Sequence, residues 1–244
     1  MSMTIKLSLL VTYRRRKSHL ETQLNWWRAH PELAQFCELV LVEVDETPSL
    51  WIQTAIRNIS VNYHFCEGSG VFHKTKALNV GLSMAQGKWI APFDVDLIPV
   101  GDSLTCHLRI AANSPSLLVT GYRVMSTSEM INVQELDAEL VQAAIAPEDM
   151  PTALWKHLIR GERFGVVPFF QRDRLLQIGG WDEAFVGWGG EDQDVIERYL
   201  ERDCHLCRCP ELVYLHLWHD RDPHWTEPNL IEQNRQYYYA NRHS

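Results

Sequence analysis

No stretch of this 244-residue chain approaches the roughly 18 consecutive apolar residues that a membrane-spanning helix needs, so stable membrane insertion is not expected. The amino terminus does not read as an export signal either. Met1 to Leu10 is mostly apolar and the basic cluster follows it, whereas a secretory leader puts its basic residues first. Positive charge is in deficit: Lys and Arg number 23 against 31 Asp and Glu, a net charge of −8. That balance argues against nucleic acid as a general partner. Internal repeats, low-complexity linkers and breaks in composition are missing, and the length suits a single domain over residues 1–244. Cysteine is modest, six residues in all. A chain of this size buries a core without staples, and reduced thiols in a cytoplasmic protein are the expectation. Cys204-His205-Leu206-Cys207-Arg208-Cys209 resembles half a zinc site. A structural zinc needs a second pair of ligands, and without one these are read as ordinary, partly buried thiols.

What is present is an ordinary globular composition, 45% hydrophobic and 22% charged, which excludes disorder, collagen and coiled coil. The first hundred residues alternate between two periods. Leu7–Tyr13, Leu39–Val44 and Trp89–Phe93 are compact apolar runs that read as buried strands. Ser18–His30 is helical, with Leu20, Leu24 and Trp27 on one face. Ile52, Ile56 and Ile59 mark a second helical face, and Lys74–Ala85 a third helix. Strand–helix alternation predicts right-handed crossovers and a mainly parallel sheet, with ligands bound beyond the carboxyl ends of the strands. In the second half, Leu117–Met125, Phe164–Phe170 and Leu212–Trp218 read as strands. Glu191–Arg202 and Glu227–Tyr239 read as helices, and Ser126–Met150 as helix and loops over the site.

Two acids at i and i+2 just past a buried strand, Asp94-Val95-Asp96, repel each other unless hydrated or paired. A divalent cation with hard oxygen ligands, Mg²⁺ or Mn²⁺, would relieve the conflict; a solvated turn is the plainer reading. His216-Leu217-Trp218-His219 offers two imidazoles that converge if they leave the strand in a turn. Imidazole favours Mn²⁺, Zn²⁺ or Fe²⁺ over Mg²⁺, so one Asp with two His makes a plausible Mn²⁺ site. In Gly187-Trp188-Gly189-Gly190-Glu191-Asp192-Gln193-Asp194, three glycines permit close approach and the Trp supplies a flat face for a sugar ring. Glu191 and Asp192 open a helix, where the dipole favours carboxylates; capping alone would not require Gly-Trp-Gly-Gly before them. Arg14-Arg15-Arg16-Lys17 could hold a diphosphate by charge-assisted bonds, or be a solvated helix start.

Together these segments resemble the β-1,4-galactosyltransferase family. The resemblance rests on Tyr13-Arg14-Arg15-Arg16 with His19-Leu20, on Phe72-His73-Lys74-Thr75-Lys76-Ala77-Leu78-Asn79-Val80-Gly81, and on Phe93-Asp94-Val95-Asp96-Leu97-Ile98-Pro99. It continues through Phe164-Gly165-Val166, Gly179-Gly180-Trp181 and the Gly187–Asp194 block to His216–His219, Asp220-Arg221-Asp222 and Glu227-Pro228-Asn229. The blocks occur in family order over residues 7 to 230.

The resemblance implies the GT-A fold, an α/β Rossmann-like α/β/α sandwich with a mainly parallel central sheet, in which residues 1–100 form a nucleotide-binding half and 101–244 an acceptor and metal-tail half. It also implies a metal-dependent, inverting transfer of a hexose from a UDP-sugar to a saccharide or glycolipid acceptor. The donor would be UDP-galactose or a UDP-N-acetylhexosamine, and the metal Mn²⁺, with Mg²⁺ the alternative. By the same transfer Asp96, His216 and His219 are metal ligands and Asp192 is the base, beside Glu191. Tyr13, Arg14, Arg16, Lys74, Asp94, Val95 and Asp96 bind the donor. Trp188, Gly189, Gly190, Arg163 and Phe164 shape the sugar and acceptor site.

Two departures bear on specificity. Gln193 replaces a family Asp, which would alter acceptor contacts. Arg163 stands at a Tyr position that governs donor choice in the family. A bacterial-type soluble enzyme of surface polysaccharide synthesis is the expectation. The competing readings are a retaining N-acetylgalactosaminyltransferase-like enzyme, a nucleotidyltransferase and a catalytically silent sugar-binding domain. The Asp after Glu191 favours inversion, which needs a base opposite the leaving group.

Overall fold

Every residue of Leu7–Tyr13 (β1) is buried, which requires a strand covered on both faces. The computed structural model describes residues 6–125, 166–200, 204–219 and 228–241. After β1 come α1 (Lys17–Ala29), β2 (Cys37–Asp45), α2 (Leu50–Ala55), β3 (Val61–Glu67), α3 (Lys74–Met84) and β4 (Trp89–Pro92). Then follow β5 (Leu97–Pro99), α4 (Ser103–Asn113), β6 (Leu117–Met125), β7 (Val166–Gln171) and α5 (Arg172–Gln177). The last elements are α6 (Glu191–Leu200), β8 (His205–His216) and α7 (Pro228–Asn241). The sheet order is β3-β2-β1-β4-β7-β6-β8-β5.

The first four strands form a parallel unit, with β1 between β2 and β4. Beyond β4 the sheet is mixed: β7 runs antiparallel to β4 and β6, β5 antiparallel to β8, and β6 parallel to β8. The expected parallel sheet therefore describes the first half, and the second half departs from it. Side chains alternate between two cores, as a period of two dictates. Leu9, Val11, Leu39 and Leu41 join α1 residues Leu20, Leu24 and Trp27 on one face. Leu10, Val40 and Val42 meet Leu78 and Leu82 of α3 and Val195 and Ile196 of α6 on the other. The result is a three-layer α/β/α arrangement.

Four elements fall outside the sequence reading, the six-residue helix α5 among them. Strand β3 is an edge strand of half-exposed residues; Val61, Tyr63 and Phe65 do alternate with Asn62 and His64, but the run is too polar to read as a buried strand. Strand β5 is three residues long. Helix α4 does carry a helical face, Leu104, His107, Leu108 and Ala111, but its second member is a histidine. The strand read from Phe164 starts at Val166 within the described residues, and that read from Leu212 starts seven residues earlier, at His205. The expected helix and loops over Ser126–Met150 lie outside the described residues. All six cysteines are free thiols, and no described helix is long and apolar enough to cross a membrane.

His107 is fully buried and stacks on Phe169 with ring centroids 3.6 Å apart. Its Nε2 lies 2.9 Å from the Val119 carbonyl oxygen and must donate, so Nδ1 accepts from the Tyr214 hydroxyl at 2.8 Å. Burial pushes its pKa down to about 3, so the folded protein holds it neutral while the unfolded chain takes up a proton below its ordinary value of 6.5. Its contribution to stability is complete above that value and is lost as pH falls towards 3. The slope approaches one proton, or about 1.4 kcal/mol per pH unit. Urea unfolding of wild type and His107→Gln between pH 7 and 4.5 should show the variant losing this increment of slope. Equal slopes would mean that His107 is not held neutral.

Candidate active site

The order 3-2-1-4 reverses at β1, and a crevice forms past the carboxyl ends of β1 and β4, as open α/β sheets dictate. The cleft is about 670 Å³, counting the space open to solvent. Arg16 enters it from the turn between β1 and α1, Lys74 from the first turn of α3, and Asp94, Val95 and Asp96 from the turn after β4. Trp188, Glu191 and Asp192 enter from the start of α6, and His216 and His219 from the end of β8.

Asp94 and Asp96 face different partners. Asp94 is held by Lys74 Nζ at 3.2 Å and Arg123 Nη1 at 2.9 Å. Burial opposes its charge, but these two cations outweigh it and hold the carboxyl well below the usual range. Asp96 is only 2% exposed and faces His216 Nε2 at 3.3 Å, His219 Nε2 at 3.4 Å and Arg16 Nη1 at 2.5 Å. The pairing of β5 with β8, Leu97 opposite His216, sets this meeting. Leu217 N–H donates to the Asp96 carbonyl at 2.8 Å.

One ligating atom from each of Asp96, His216 and His219 lies within 4.8 Å of the others, and this is the one such group among the described residues. Asp96 Oδ1 is buried yet accepts no hydrogen bond. Burial pushes the His216 pKa down, which keeps its ring neutral and its lone pair available. A buried carboxylate oxygen without a donor, facing imidazole nitrogens, is a donor set that fits a divalent cation.

Lys74 opposes the other acids. Its Nζ is 3.7 Å from both Glu191 Oε1 and Asp192 Oδ1. Burial works against its charge, but Asp192, Asp94 and Glu191 together raise its pKa. Glu191 is buried, with Oε2 accepting from Gly189 N–H at 2.9 Å. Burial, then the neighbouring Asp192, pushes its pKa up to about 7. Asp192 keeps a third of its side chain exposed, at 33%, and is the most accessible of the four carboxylates in the cleft. Trp188 is 41% exposed. Its loop needs glycine: Gly189 has φ +107°, and at Gly190, with φ +89°, a Cβ would meet Phe185 Cε1 at 2.9 Å. Asn234 of α7 holds the loop, donating to the Val186 and Trp188 carbonyls at 2.8 and 3.2 Å.

The cleft thus gathers Arg16, Lys74, Asp94, Val95, Asp96, Trp188, Glu191, Asp192, His216 and His219. The basic cluster after β1 divides. Arg14 is buried and donates to the Gly70 carbonyl at 2.6 Å, Arg15 pairs bidentately with Asp45, and only Arg16 of the three lines the cleft. Tyr13 is buried edge-on to Trp51, and burial with the nearby Glu43 pushes its pKa up to about 12, so it stays a neutral phenol. Arg163 and Phe164 lie outside the described residues. Gln193, expected from its position in the acidic run to alter acceptor contacts, does not line the cleft. It is buried against α7, donating to the Tyr238 hydroxyl at 2.6 Å, because each residue turns the helix by about 100°. Arg123 is the site residue that sequence reasoning missed. Its signal was a lone cation inside the apolar strand Leu117–Met125, where a buried charge requires a partner.

Residues 153–220 match the family described as the N-terminal domain of galactosyltransferase. Human chondroitin sulfate N-acetylgalactosaminyltransferase 1 is 25% identical over 182 residues, which are 73% of this chain and 33% of that protein. Mouse beta-1,4-galactosyltransferase 4 is 27% identical over 168 residues, 64% of this chain and 38% of that one. The chain thus spans about a third of the length of these curated relatives. Among solved structures, the Pyrobaculum calidifontis mannosyltransferase PcManGT in complex with GDP-Man and Mn²⁺ superposes with a TM-score of 0.59. It is 15% identical, over 90% of this chain and 59% of that one.

The buried cation is the point where this cleft can be broken without touching the metal-type triad. Lys74→Met keeps the length of the side chain and strands Asp94, Glu191 and Asp192 without their shared counter-charge. Removing one partner of a buried ion pair costs about 3–5 kcal/mol, and urea unfolding at pH 7 should show a loss of that order. A loss under about 1 kcal/mol would mean that the cluster is solvated rather than buried.

Proposed function

We propose that this chain, a galactosyltransferase-like protein with the GT-A fold, is a metal-dependent, inverting glycosyltransferase. It moves a galactose or N-acetylhexosamine from a UDP-sugar to a hydroxyl of a saccharide or glycolipid. The observation that carries the reading is the one cleft shared by the Asp96–His216–His219 triad, the Trp188 face and the reachable carboxylate of Asp192. A silent sugar-binding domain would have no use for a carboxylate and a cation-type triad in one cleft. A nucleotidyltransferase would not need the Trp188 platform.

Asp96, His216 and His219 would hold the cation, Mn²⁺ before Mg²⁺ because two of the three ligands are imidazoles. When bound it supplies positive charge to the departing diphosphate. Arg16 adds a charge-assisted donor on the same wall. Lys74 and Arg123 hold Asp94 in place, which keeps one acid of the pair away from the triad. Trp188 stacks on a sugar ring, and its glycine-rich loop lets the backbone approach. Asp192 takes the proton of the acceptor hydroxyl as that oxygen attacks the anomeric carbon, a contribution of about 10²–10⁴ in rate. The whole chain is proposed to act as one catalytic domain, in the cytoplasm, a placement supported by six free thiols.

Two experiments test this reading. Asp96→Ala removes the oxygen ligand, so calorimetry should find Mn²⁺-dependent UDP binding abolished, and unchanged binding would put the cation elsewhere. Asp192→Asn keeps the shape and removes the basicity. Its turnover should fall by at least about a hundredfold with UDP-sugar affinity nearly intact. Near-normal turnover would move the base to Glu191 or favour a retaining mechanism, and the anomeric configuration of the product, read by NMR, separates those two.

A further inference from the structure

The triad draws its ligands from two distant chain segments, and a third element touches both. His19 Nε2 lies 3.1 Å from the carbonyl oxygen of Trp218, between the two histidines of the triad. A carbonyl only accepts, so Nε2 carries the proton and donates. The side-chain amide of Gln23 donates to the carbonyls of Asp94 and Leu97, each at 3.0 Å, and these flank Asp96. Both side chains are buried. With Arg16, which meets Asp96 Oδ2 at 2.5 Å, they stand at i, i+3 and i+7, one face of a helix. The His19 ring also packs edge-on to that of His219, with centroids 6.1 Å apart.

Buried polar side chains must find partners wherever they sit. Here, however, α1 packs Leu20, Leu24 and Trp27 into the core from neighbouring positions, and apolar residues at 19 and 23 would avoid the desolvation cost altogether. The carbonyls that these two residues hold are those beside the candidate ligands.

We propose that His19 and Gln23 are positioning residues of the metal site: α1 grips the His216–His219 turn with one and the Asp94–Leu97 turn with the other, and so sets the spacing between Asp96 and the two histidines. This rests on the cation site proposed above. The partners behind metal ligands typically contribute about 10–100-fold in affinity.

The test titrates Mn²⁺ alone, without nucleotide, into the full chain and reads free Mn²⁺ by electron paramagnetic resonance. Thermal unfolding of the metal-free proteins is recorded alongside. His19→Phe keeps a ring without the donor, and Gln23→Met keeps the length without the amide; each should weaken Mn²⁺ by about 10–100-fold. His19→Gln, whose amide can reach the Trp218 carbonyl, should regain most of that loss. Gln23→Asn, one methylene short of both carbonyls, carries the same expectation as Gln23→Met with the least disturbance to folding. If wild type binds Mn²⁺ and the folded variants bind it within twofold, whatever their melting temperatures, positioning is overturned and the cation site stands. If wild type binds no Mn²⁺, the cation site falls and this proposal with it.

Discussion

One ammonium group balances most of the cleft. Lys74 Nζ lies within 3.7 Å of carboxylate oxygens from Asp94, Glu191 and Asp192, and Asp96 sits in the same crevice. Four acids in so small a volume would repel strongly at low effective dielectric. Lys74, Arg123 and Arg16 offset that repulsion, each from a different element. What they leave uncompensated falls on Glu191, a buried acid directly beside Asp192, and its pKa rises to about 7. The backbone has to bring three cations from α3, β6 and the start of α1 to one place, and the order of strands around β1 and β4 does this.

The same geometry separates two identical residues. Asp94 and Asp96 are two positions apart in a turn closed by Leu97 N–H donating to the Asp94 carbonyl at 3.0 Å, and the turn sends their side chains to different walls. Asp94 finds Lys74 and Arg123 and becomes a fixed anion. Asp96 finds two imidazoles and an arginine and keeps an oxygen with no donor. Sequence distance alone could not assign these roles, because both acids satisfy the D-x-D pattern equally.

Much of the parallel half was legible because burial on both faces leaves an unbroken apolar run. Leu7–Tyr13 was read to the residue, and Leu39–Val44 and Lys74–Ala85 nearly so. Legibility failed where that signal is diluted. Strand β3 lies at the sheet edge, β5 is too short to show a period, and the α4 face hides a buried histidine. Most of the residues that line the cleft were named from the sequence, since carboxylates, imidazoles and a Gly-Trp-Gly-Gly loop are costly patterns without a use. Arg123 was missed because its partner, Asp94, is far away in the chain and the strand around it looked like core. Arg14 and Arg15 were grouped with Arg16, although the turn at Arg15, with φ +55°, divides them between Asp45, Gly70 and the cleft. No local pattern announces such a turn.

Capping and the shaping of the cleft at the Gly187–Asp194 block, which the sequence presents as alternatives, are one device. Gly189 at φ +107° occupies backbone space that a side-chain-bearing residue rarely enters. Its N–H there reaches the Glu191 carboxylate at 2.9 Å. Glu191 is thereby committed to its own loop, and its burial, with Asp192 beside it, makes it hard to ionise. Asp192, one residue on and about 100° around the helix, meets the same Lys74 but keeps a third of its side chain, 33%, open to the cleft. Tying down the first acid frees the second. The glycines that let Trp188 protrude are also the ones that let Glu191 fold back, so the loop cannot lose them without disturbing both the apolar platform and the carboxylate beside it.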